Sequence, residues 1–147
     1  MGVKTLTPKT RLRSGIKKMS QATLVSYRDD ELQTGGITID QDAYTAGLDR
    51  TYDVRGLKNM HIEIENTGGA NGLTYKIEKA RKDFADVSTL VDADFDQDIK
   101  ADTNVAFGTT VLDDIADISP ETTSIRIRIK RQTASQDTTL AGIVSAN

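Results

Sequence analysis

Cysteine and tryptophan are absent from the 147 residues, proline occurs twice and histidine once. Without cysteine there is no disulfide framework, no thiolate metal site and no thiol nucleophile. The single histidine, His61, offers no His–His ligand pair, and acid–base catalysis would also need a positioned partner in a cleft. Aromatic residues make up 5% of the chain, few for stacking nucleic-acid bases or sugar rings. Tyr27, Tyr44 and Tyr52 could form at most one shallow sugar site. No stretch approaches the roughly 18 apolar residues that a membrane-spanning helix requires. The basic N-terminus has no apolar run behind it, so it does not read as a signal peptide. Leu6 stands where a myristoylation motif needs Ser or Thr. Walker A, strand-linked G-x-G-x-x-G and G-x-S-x-G patterns are all missing. A soluble chain, neither an enzyme nor a cofactor carrier, is the expectation.

Acid is missing as well, from one end only. Residues 1–28 hold Lys4, Lys9, Arg11, Arg13, Lys17, Lys18 and Arg28 with no Asp or Glu, a charge of +7. The whole chain carries −3, so the remainder carries −10. Such a sign split favours docking of the basic segment onto something negative. Lys4, Lys9, Arg11, Arg13, Lys17 and Lys18 are therefore the candidate partner-binding residues. Contact by Lys and Arg alone with phosphates would be salt-sensitive and sequence-independent, so no sequence-specific nucleic-acid partner is expected.

What is present is β-patterning. Met60–Glu65 and Leu73–Glu78 alternate apolar and polar residues, and the Gly/Asn-rich stretch between them predicts a β-hairpin with one buried face. Ser124–Arg131 alternates strictly over eight residues, and Thr138–Ala146 follows a turn at Thr133–Asp137, which predicts a second hairpin. Shorter strands are expected at Thr23–Tyr27, Ile37–Asp40 and Thr51–Val54. Val105–Leu112 reads as one strand bent at Gly108. Asp83–Val91 reads as a turn and strand, and residues 1–22 as irregular, with a short helix near Ile16–Ala22 as the one alternative.

About eight short strands and no long helix indicate a single all-β domain, an antiparallel β-sandwich or barrel over residues 23–147 behind an extended arm at 1–22. Ile62, Ile64, Leu73, Tyr75, Ile77, Ile125, Ile127 and Ile129 are the expected core. Glu63 and Glu65 would face outward, as would Arg126, Arg128 and Lys130. If those strands are neighbours, the two rows pair across the sheet.

Asp92, Asp94, Asp96 and Asp98 are the best-spaced metal candidates, since alternating carboxylates can converge on a hard cation. The pattern departs from a calcium loop at Gln97 and Thr103, where Gly and a bidentate Glu would stand. A solvated acidic loop, or one meeting a basic arm, accounts for the same residues, and no metal site is expected.

The segment I-E-I-E-N-T-G-G-A-N-G-L-T-Y-K-I-E, with the later I-R-I-R-I-K-R and closing A-G-I-V, resembles small all-β structural proteins of tailed-phage virions. Capsid decoration (cement) proteins and minor head or tail proteins are of this kind. The resemblance covers about residues 55–146 as a pattern and the first 28 as an arm. It implies a non-enzymatic role on the capsid surface. The implied partners are the major capsid protein or another virion protein and further copies of the chain, with a trimer favoured. A tail or head–tail connector protein of the same fold, and a carbohydrate- or calcium-binding sandwich, are the alternatives.

Overall fold

The structure is a computed structural model that describes residues 37–68, 70–81, 90–95 and 98–147, and the backbone alone at 12–13, 16–18, 27–29 and 97. Eleven strands lie among these residues: β1 (Leu12–Arg13), β2 (Ile16–Lys18), β3 (Tyr27–Asp29), β4 (Ile37–Ile39), β5 (Arg50–Asp53), β6 (Met60–Asn66), β7 (Leu73–Ala80), β8 (Gln97–Val105), β9 (Thr110–Ile115), β10 (Ser124–Arg131) and β11 (Thr138–Ala146). Pairing sorts them into two sheets. The first runs β1-β2-β5-β10-β7-β8. The second runs β3-β11-β6-β9, with β4 also on β11. All pairs are antiparallel except β2 with β5.

The core lies between the sheets and follows the alternation. Ile62, Ile64, Leu73, Tyr75, Ile77, Ile125, Ile127 and Ile129 are all buried there, at 0–1% exposure. Met60, Leu140 and Val144 join them. Of the sandwich or barrel expected for an all-β chain, the two-sheet sandwich is present, with apolar residues at every second position lining the inner faces.

The expected hairpins are not. β6 belongs to the second sheet and β7 to the first, and the same holds for β11 and β10. Each connection crosses from one layer to the other. Six residues separate β6 from β7, and six separate β10 from β11. That length reaches across the roughly 10 Å between packed sheets, which a two-residue hairpin turn cannot do. Val105–Leu112 is likewise two strands in different sheets: β8 ends at Val105, Gly108 turns at φ +75°, and β9 begins at Thr110.

Asn66 holds the crossings together at one end of the sandwich. Its side chain, 0% exposed, donates to the carbonyls of Asn71 (2.7 Å) and Val105 (3.0 Å). Its Oδ1 accepts from Thr138 Oγ1 (2.6 Å) and from the Gly68 amide (3.2 Å). One buried amide therefore ties the ends of β6, β8 and β11 and the loop into β7, leaving none of its own polar groups unpaired.

Because β6 and β10 lie in opposite sheets, Glu63 and Glu65 cannot pair with Arg126, Arg128 and Lys130. Ile16–Lys18, expected to be irregular or helical, form β2 along β5. Lys4, Lys9 and Arg11, most of Asp83–Val91, and the strand expected over Thr23–Tyr27 apart from Tyr27, where β3 begins, lie outside the described residues.

Candidate interaction surface

The outward row of β10 is the first surface to consider, because its basic residues were expected to be wet. Arg126 is instead 6% exposed. Its Nε and Nη2 both donate to Glu78 Oε2 on β7, at 2.9 and 2.6 Å, directly across the register. Nη1 reaches Asp92 Oδ1 at 2.7 Å, and Asp49 lies 3.8 Å away. Phe95 covers the guanidinium, its ring centre 3.9 Å from Cζ. Arg128 Nε donates to Asp49 Oδ1 at 3.1 Å. Burial pushes the Asp49 carboxyl above its ordinary range against the pull of Arg128, whereas the hydrogen bond from Arg126 holds Asp92 below it. The segment around the 3-10 turn Asp92–Asp94 is thereby fastened over the first sheet.

Tyr44, in the β4–β5 connection, covers the rest of that row. Lys76, Lys130 and Arg128 approach its ring at 5.2, 4.8 and 5.5 Å. Its hydroxyl donates to Asp102 at 2.7 Å. Burial, and then that bond, push the hydroxyl well above its ordinary value. Tyr44 is thus a lid on three cations. Tyr52 is wholly buried in the core, so the grouping of Tyr27, Tyr44 and Tyr52 into a sugar platform fails on Tyr52 alone.

Among the described residues the aspartate run does not converge either. Asp92 meets Arg126, Asp94 Oδ2 accepts from the Val91 amide at 3.0 Å, Asp96 lies outside the described residues, and Asp98 stands on β8. The cation facing Asp92 is a guanidinium. Among the described residues no three His, Asp or Glu side chains gather as metal ligands do. His61 is on the outer face of the second sheet, as its alternation requires, with Nδ1 2.5 Å from Asp114 Oδ1.

Of the candidate partner-binding residues, Arg13 lies on β1, and Lys17 and Lys18 on β2, opposite Tyr52 and Asp53 in register. The basic segment therefore enters the first sheet at its β5 edge. The other flank is different. β8 pairs only with β7, and β9 only with β6, so among the described residues nothing pairs with their outer sides. Both open edges lie in consecutive strands joined by the turn at 106–109. Between them Asp113, on the inner side of β9, accepts from Lys100 Nζ (2.5 Å) on β8 and from the Tyr75 hydroxyl on β7. Burial first, and then the bond to Asp113, raise Tyr75 to about 12. Inward charges of this kind, and the register shifts along β8, keep edge strands from pairing indiscriminately.

These features define a two-sheet β-sandwich with its own basic segment along one flank and, among the described residues, an unpaired acidic edge along the other. No protein-family model matches the chain, nor does any curated protein sequence. Among solved structures it is similar to the K3 cleaved adhesin domain of Lys-gingipain from Porphyromonas gingivalis W83, at 10% identity, 67% of this chain, 61% of that one and TM-score 0.45. A chain of the rhinovirus-B5 structure is similar at 12% identity, 76% and 64% coverage and TM-score 0.45. A chain of infectious bursal disease virus Gx strain is similar at 15% identity, 87% and 32% coverage and TM-score 0.36. The chain spans less than two thirds of the length of each of these three. With TM-scores below 0.5, none of these likenesses decides what the chain does.

Proposed function

We propose that the chain is a non-enzymatic structural protein of a virion, a decoration protein that binds the shell and neighbouring copies through its basic N-terminal segment. The observation that carries this reading is the division of charge across the sandwich. An acid-free segment of +7 is joined to one flank of the first sheet through β2, while the body carries −10. A segment anchored at its root and charged against its own body is suited to reach a second molecule, because tethering supplies effective concentration for the docking of the body beside it. The resemblance of residues 55–146 to tailed-phage virion proteins supports the same reading.

The test is the copy number of the chain in purified particles, by quantitative mass spectrometry. A decoration role predicts hundreds of copies, in proportion to the capsid subunit. A ring of few copies would assign it to the tail or the head–tail connector instead, and absence from particles would overturn the reading.

A further inference from the structure

We infer that the open β8–β9 flank is the receptor for residues 1–11 of a second copy of this chain. The inference rests on the reading above and names the surface the arm would meet.

Residues 97–117 contain Asp98, Asp102, Asp113, Asp114 and Asp117 against the single Lys100, a net charge of −4. Residues 1–11 contain Lys4, Lys9 and Arg11 and no acid. Two β8–β9 flanks placed edge to edge would repel, and the register shifts in β8 spoil a long regular ladder. A basic strand meets neither obstacle on β9, whose six residues Thr110–Ile115 pair with β6 without a register shift. Such strand addition takes its affinity from main-chain hydrogen bonds and its selectivity from side-chain pockets.

The flank also has a pocket. A cavity of about 260 Å³ opens between the sheets beside the start of β8 and the end of β9, with Ile99, Ile115, Ile118 and Ile125 in its lining together with Lys79 and the exposed Asp98 and Asp117, an excess of acid by one. Its chemistry suits an apolar side chain flanked by cations, as Leu6 is by Lys4 and Lys9 in the sequence. Val3, Thr5 and Thr7 are β-branched at alternating positions, a strand-favouring pattern. Pro8 is compatible with an added edge strand where its missing N–H faces outward.

The donor is a second molecule because of where the segment leaves the first. β1 is the outermost strand of its sheet and β8 the strand at the opposite edge, five inter-strand spacings or about 24 Å away. β1 therefore lies on the flank that faces away from the receptor, and the six residues from Leu12 back to Leu6 span at most about 22 Å. The contact is heterologous, arm to edge, and closes into a ring when the rotation between copies allows.

Two charge-reversed variants test this without any particle: Asp98→Lys/Asp114→Lys on the flank and Lys4→Glu/Lys9→Glu on the arm, each followed by sedimentation velocity. The parent should self-associate at low salt and dissociate near 1 M salt, where the screening length falls to about 3 Å. Each variant alone should be monomeric, and an equimolar mixture should associate again, because the basic arm of the flank variant then meets the acidic edge of the arm variant. The neutral Asp98→Asn/Asp114→Asn variant, with a circular dichroism spectrum matching the parent, should weaken association by itself and guards against misfolding of the reversed form. A monomeric parent, a flank variant that associates as the parent does, or a mixture that stays monomeric overturns the inference. Its failure would leave particle occupancy intact, whereas absence from particles with self-association retained would count against the decoration reading alone.

Discussion

At the scale of single residues, Arg126 shows what alternation can and cannot say. Its position in I-R-I-R-I-K-R sends it away from the core, and it does point outward. Outward is nevertheless not wet, because Phe95 and Asp92 close over it from a segment some thirty residues away in sequence. A period of two counts the faces of a sheet and is blind to a further layer above them. Removing the guanidinium leaves Glu78, 4% exposed, without its bidentate donor. Arg126→Met should therefore lower stability by about 2 kcal/mol, since Glu78 loses two charge-assisted hydrogen bonds and keeps the Lys76 ion pair at 2.5 Å. Urea unfolding measures this. Arg126→Met/Glu78→Leu should recover most of the loss, because an apolar pair of similar volume replaces an ion pair at little net cost. A single variant as stable as the parent would mean that Lys76 and solvent already balance the Glu78 charge.

At the scale of elements, the sequence carried most of the strands and all of the named core, yet misassigned their partners. β4, β5, β6, β7, β10 and β11 fall where the patterning puts them. What the pattern lacks is any mark of which sheet a strand joins, since both sheets present the same apolar inner face. Here the Gly/Asn-rich connection was the misleading signal. Gly68 and Gly72 serve close approach: a Cβ at Gly68 would lie 2.2 Å from the Thr139 amide nitrogen. β8 escaped notice for another reason. Gln97–Val105 has only Ile99, Ala101 and Val105 as apolar residues, because an edge strand has less to bury. The pairing of β6 with β11 gives the element-scale prediction. A Cβ on Gly142 would sit 2.2 Å from the Glu63 carbonyl oxygen, a backbone atom that cannot move without parting the two strands. Gly142→Ala should cost about 2 kcal/mol or more in thermal or urea unfolding. Gly47→Ala, with nothing within 4 Å of the new methyl, should stay within about 0.5 kcal/mol of the parent. Equal effects at the two sites would contradict the close β6–β11 approach.

At the scale of the whole molecule, the charge split was legible in the sequence because it needs only a count, while the flank that complements it was not. Asp98, Asp113 and Asp114 look like ordinary solvated acids until β8 and β9 are seen to be adjoining edges of two different sheets. The basic segment likewise proves to have two parts. Ile16–Lys18 pair with β5 and belong to the sandwich, so deleting residues 1–22 would uncover the β5 edge and confuse folding with docking. Deleting residues 1–11 removes Lys4, Lys9 and Arg11 and leaves β1 and β2 in place. The most direct measurement is therefore the occupancy of particles lacking the protein after incubation with full-length chain or with the chain lacking residues 1–11, read from the amount that co-sediments. The account predicts saturating occupancy by the full chain and loss of binding by the folded truncated chain. Equal occupancy by the two would contradict it.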